Sequence, residues 1–170
     1  TKDSALTAKG RAQASAIGRL LKTLVGETPL NAAISPLGRT RETAALIAQE
    51  VPLVETLEPR IAEVSLGAWD GMTGFEIESE YQHLIAGASR ATWYFRSPDG
   101  EALSAVVKRV SAWLAEAEGP LLAVSHGVAG RVIRGLYCGL SEREMLALDA
   151  PQDGLFVLDQ GRANFVPAPL

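Results

Sequence analysis

The sequence predicts an α/β fold of three layers, α/β/α, built on a mostly parallel central sheet covered on both faces. Two observations carry the prediction. Short apolar runs bounded by turn residues recur along the chain, and stretches with apolar residues at three- and four-residue spacing follow them. The length of 170 residues, with 47% hydrophobic and 21% charged residues, suits one packed domain spanning 1–170.

Thr7 stands where a helix N-cap belongs, and Ala12, Ala16, Ile17, Leu20, Leu21 and Leu24 give a helical stripe over residues 7–25, which Gly26 stops. Residues 30–34 are short and mostly apolar, as a buried parallel strand would be, and end at Ser35. A second helix is expected over 37–49, closed by Pro52, with a short strand over 53–56. From 58 to 100 the pattern loosens, with Gly67, Gly71, Gly74, Gly87 and Pro98 breaking it and only 75–84 looking helical; this region reads as an inserted cap. Leu103, Val106, Val107, Val110, Trp113 and Leu114 form one stripe of a helix over 101–117. A continuous apolar strand follows over 120–124, then Ser125, His126 and a helix over 128–138. Ser141 caps a short helix toward Leu146, and 155–158 and 163–166 read as a hairpin.

A net charge of -4 offers no basic field to a nucleic-acid backbone or an anionic membrane, so neither is expected as a partner. The single cysteine, Cys138, allows no intrachain disulfide, and a cytoplasmic setting is the simplest expectation.

In a parallel sheet ligands bind beyond the carboxyl ends of the strands, which directs attention to the residues after Ile34 and Val124. After Ile34, Arg39 falls in the first turn of a helix, where its fork can meet a phosphate held over the helix N-terminus; taken alone it fits a solvated surface arginine equally well. After Val124, His126 can donate to a phosphoryl oxygen and Gly127 lets a ligand approach the backbone, although a lone histidine at a strand end is more often structural. Glu63, at the start of the cap, would act as an acid beside a phosphate and as an ordinary solvated glutamate elsewhere.

Five segments then occur in order: DSALTAKG at 3–10, SPLGRTRETA at 35–44, EVSLGAWDG at 63–71, SPDGE at 97–101 and SHG at 125–127. Together they resemble the histidine phosphatase superfamily, in its phosphoglycerate mutase-like branch, over nearly the whole chain. The resemblance implies that Arg39 and His126 clamp a phosphate, that Glu63 is the general acid and base, and that Gly127 lets substrate lie close. A small phosphorylated metabolite is the expected partner and a homodimer one expected assembly; no cofactor or metal is expected, since arginines and histidines would face the phosphate and the sequence shows no carboxylate cluster suited to a metal. The family's Arg-His-Gly triplet, which supplies the nucleophilic histidine from the first strand, does not occur here. Of the two histidines, His126 matches the second pocket histidine and His83 reads as an exposed cap residue. The nucleophile is therefore expected upstream of Thr1, on a strand at the sheet centre whose loss would unpair two neighbours.

The activity expected is phosphomonoester hydrolysis through a phosphohistidine. The alternatives are a mutase-type phosphotransfer and, if no such upstream segment exists, a non-catalytic phosphate-binding domain. Hydrolysis is favoured because the cap holds few basic residues, chiefly Arg90 and Arg96. Trp69, Phe75, Trp93, Tyr94 and Phe95 offer either substrate contacts or core packing.

Overall fold

The structure is a computed structural model and describes residues 4–89 and 91–169, so that Thr1, Asp3 and Arg90 lie outside the described residues. Three strands form a parallel sheet in the order β2-β1-β3: β1 is Leu30–Ile34, β2 is Leu53–Leu57 and β3 is Leu121–Val124. Helices α1 (Ala8–Val25) and α2 (Gly38–Ile47) cover one face, and α5 (Leu103–Glu116), α6 (Gly127–Tyr137) and α7 (Glu142–Ala147) lie on the other. This is the three-layer α/β/α arrangement expected. Side-chain alternation divides the core between the faces. Leu30, Ala32 and Ile34 of β1 meet Leu21, Ala44 and Ile47 on one side, while Ala33 joins Val106, Val110, Trp113, Val132 and Ile133 on the other.

Several termini have a local chemical cause. The Thr7 hydroxyl accepts the Gly10 amide at the start of α1, and Gly26 ends that helix with φ of 69°. Ser141 and Glu144 close a reciprocal capping box at the start of α7. The tail forms the hairpin expected, β4 (Gly154–Asp159) antiparallel to β5 (Arg162–Pro167).

Three features depart from the sequence reading. The helix expected over 75–84 is two short helices, α3 (Gly74–Glu80) and α4 (Gln82–Ile85), with the break at Tyr81, whose ring packs 5.5 Å from that of the buried Trp69. The helix expected from residue 101 begins at Leu103, because the Glu101 side chain is drawn to Arg109 and its amide donates to Ser65 O at 2.9 Å. The third is β3. Its Leu-Leu-Ala-Val sequence reads as an interior strand, yet among the described residues it pairs with β1 alone, and Ala123 is exposed. The β4–β5 hairpin forms a separate sheet, although Leu155 of β4 packs in the same cluster as Leu122 of β3.

Candidate active site

Parallel pairing of β1 with β3 brings Ile34 beside Val124, so the two strands leave the sheet together and the Ser35 amide donates to Val124 O at 3.0 Å. Ser35 is fully buried, and its Oγ lies 2.7 Å from His126 Nε2. Arg39, half-buried on the first turn of α2, reaches the opposite ring nitrogen: Nε and Nη2 lie 3.2 and 2.9 Å from His126 Nδ1. A guanidinium has only donors, so in these contacts Nδ1 accepts, and the ring proton sits on Nε2 and is donated to Ser35 Oγ. The buried Thr40 hydroxyl fixes the turn between strand and helix by donating to Ser35 O at 2.9 Å and Leu37 O at 2.7 Å.

Glu63 reaches the same place from the cap. Its Oε2 accepts the Val128 amide at 3.2 Å, and its Oε1 accepts those of Ala129 and Val64, both at 3.1 Å. The carboxylate therefore sits over the N-terminus of α6, the helix that His126 begins, where the dipole and the first amides favour an anion. The Ser125 hydroxyl donates to Ile61 O at 2.7 Å and ties the end of β3 to the stretch carrying Glu63. Gly127 is exposed, and a Cβ added there would come 3.8 Å from Glu63 Oε2. That is an ordinary contact, so crowding by the protein does not require glycine at this position, and its open side faces outward.

All four residues singled out from the sequence, Arg39, Glu63, His126 and Gly127, are thus gathered at one end of the sheet. His83 is exposed on α4. The sequence reading missed the side chains of Ser35, Thr40 and Ser125, although a serine buried at the end of a parallel strand was a usable sign. The aromatic residues of the cap are mainly packing: Trp69 is fully buried, its ring lies 5.9 Å from that of Trp93, and Trp93, Tyr94 and Phe95 continue edge to face at 5.6 and 4.7 Å. Phe75 stands apart and is exposed.

The loop after Glu63 depends on Gly67, which has φ of 49° and lies so close to the turn at 97–100 that an added Cβ would run into the backbone of Pro98, Asp99 and Gly100. Gly67→Ala is expected to lower the free energy of unfolding by roughly 2 to 4 kcal/mol, from the left-handed conformation and the forced separation together. A shift of the urea midpoint with unchanged slope measures it.

Comparison with known proteins gives consistent results. The family model of the histidine phosphatase superfamily (branch 1) matches residues 1–167. A probable phosphoglycerate mutase GpmB of Citrobacter koseri is 37% identical over 133 residues, which are 75% of this chain and 60% of that protein. The chain thus spans about 60% of the length of that curated relative. Among solved structures, the product of the Mycobacterium tuberculosis open reading frame Rv3214 aligns with a TM-score of 0.74 at 26% identity, covering 98% of this chain and 86% of that one. The mycobacterial glucosyl-3-phosphoglycerate phosphatase Rv2419c, in complex with inorganic phosphate, aligns with a TM-score of 0.73 at 24% identity, covering 99% and 89%. At that identity the second likeness speaks for the fold.

Proposed function

The chain belongs to the histidine phosphatase superfamily, and on that premise we propose that the full-length protein hydrolyses a small phosphomonoester through a phosphohistidine intermediate. The convergence of Arg39, His126 and Glu63 where β1 and β3 end is the observation that carries the reading. The phosphoryl group enters between the Arg39 guanidinium and the His126 ring. Its equatorial oxygens take over the fork of Arg39, which now donates to His126 Nδ1, while Ser35 holds the ring at Nε2.

The nucleophile in this proposal is a histidine on a strand outside these 170 residues. Two observations support it: the interior-strand sequence of β3, and its edge left open on the side away from β1, among the described residues. A parallel strand paired there would end beside His126. Its histidine attacks phosphorus in line, the P–O bond to the leaving group breaks, and Glu63 gives that oxygen a proton. In the second step Glu63 takes a proton from water, which attacks the phosphohistidine and releases inorganic phosphate.

A second reading, transfer of the phosphoryl group to another hydroxyl of the substrate, is favoured by the name of the GpmB relative. Hydrolysis is the better supported of the two, because the Nη1 of Arg96 is engaged by the cap's own carbonyls, donating to Leu84 O at 3.1 Å and Ala86 O at 2.8 Å.

The test is to incubate full-length protein with a phosphomonoester labelled on phosphorus, in the presence of a chelator, and to quench separately in acid and in base. The expected label is stable in base and lost in acid, and it disappears with Arg39→Ala. A protein that binds phosphate but never carries label is the non-catalytic domain, and a label stable in acid would exclude a phosphohistidine.

A further inference from the structure

A well-shielded ion pair near the site is not part of the phosphate cradle. Arg109, on the α5 face turned toward the cap, donates from Nε and Nη2 to Glu101 Oε1 and Oε2 at 2.7 and 2.9 Å, a two-point pair whose side chains are only 19% and 20% exposed. The remaining nitrogen, Nη1, turns to the stretch before Glu63. It donates to the backbone carbonyl of Arg60 at 2.5 Å, three residues before Glu63. Glu101 in turn donates its backbone amide to Ser65 O at 2.9 Å, two residues after Glu63. One guanidinium–carboxylate pair thus holds both flanks of the segment that carries the acid.

We propose that Arg109 and Glu101 are positioning residues for Glu63, holding its carboxyl group over the end of α6 and within reach of the leaving oxygen. The proposal rests on the reading of Glu63 as the acid and extends it to a pair that no part of that reading uses. An exposed ion pair contributes little, because water competes and two long side chains must be ordered. This pair is largely shielded, its geometry is bidentate, and it adds a charge-assisted bond to a carbonyl, which fixes direction as well as distance. The Ser125 hydroxyl on Ile61 O is a third tie to the same segment, from the strand that delivers His126. With three anchors on residues 60–65, a small displacement of the acid is resisted from both sides, and proton transfer is sensitive to such displacements.

Two measurements on Arg109→Gln and Glu101→Gln in the full-length protein test this. The first compares single-turnover phosphoryl transfer from an alkyl monoester, whose leaving alkoxide needs a proton, with that from p-nitrophenyl phosphate, whose leaving phenolate does not. Each variant is expected to slow the alkyl ester by roughly tenfold or more while the aryl ester stays within about threefold and inhibition by inorganic phosphate is unchanged. Equal losses on both esters, or none on either, would overturn the proposal. The second measurement is independent of activity: amide hydrogen exchange at Val128 and Ala129, whose N–H groups Glu63 accepts, is expected to speed up by roughly tenfold while amides later in α6 hold their rates. Exchange that is unchanged at those two positions, or faster along the whole of α6, sinks the clamp. If the unsubstituted protein forms no phosphoenzyme, the reading of the site fails, and the exchange result alone still decides whether the pair places Glu63.

Discussion

Arg39→Ala is expected to lower kcat/KM for phosphomonoester hydrolysis by about 10² to 10³-fold, the usual loss for one preorganised donor aimed at developing charge. Arg39 is placed by the strand end itself: β1 stops at Ser35, Thr40 fastens the turn, and the guanidinium arrives at His126 Nδ1 from the first turn of α2. Alanine removes the Nε and Nη2 donors to that nitrogen and the positive charge opposite the phosphate. Arg39→Lys is expected to recover only a minor part, since an ammonium is a single point of donation and cannot span two oxygens as the planar fork does. The thermal midpoint of both variants should stay near that of the unsubstituted protein, because Arg39 is half-buried and contributes little to the core. Steady-state kinetics on an alkyl and an aryl ester check the result, and a change below about threefold on both would remove Arg39 from the phosphate site.

Glu63→Gln is expected to produce a loss of similar size with a different signature. A glutamine keeps the shape but neither gives a proton to a leaving alkoxide nor takes one from water. With an alkyl monoester the first step should slow by roughly 10² to 10⁴-fold. With p-nitrophenyl phosphate the first step should remain fast and the second stall, giving a burst of about one equivalent of nitrophenolate and a long-lived phosphoenzyme. Rapid-quench measurement of both phases separates the two roles. Loss of the burst together with the steady state would mean that Glu63 places the phosphoryl group and does not move protons.

Elements whose cause is local were legible in the sequence. Residues 30–34 are the strand β1, and Thr7 and Ser141 cap the helices they were expected to cap. The turn at Gln160 and Gly161, with φ of 46° and 72°, joins the hairpin where it was expected. Elements that answer to distant partners were not legible. Nothing within 75–84 announces that Tyr81 will leave the helix for Trp69, and the start of α5 is set by an arginine two turns into that helix and by the Ser65 carbonyl, two residues after Glu63. The site shows the same division. Arg39, Glu63, His126 and Gly127 stood out by motif, whereas the Ser35 hydroxyl became visible only when parallel register set residue 35 against residue 126.

Glu63 also bears on how the protein can change over time. Active-site groups are commonly a liability to folding, so that replacing them raises stability and loses function. Here the carboxylate receives two amides at the start of α6 and one from its own segment, and it serves that helix as a side-chain cap does. A replacement that cannot accept these amides therefore gives up the cap on α6 together with the acid, so that activity and robustness fall together at this position instead of trading against each other.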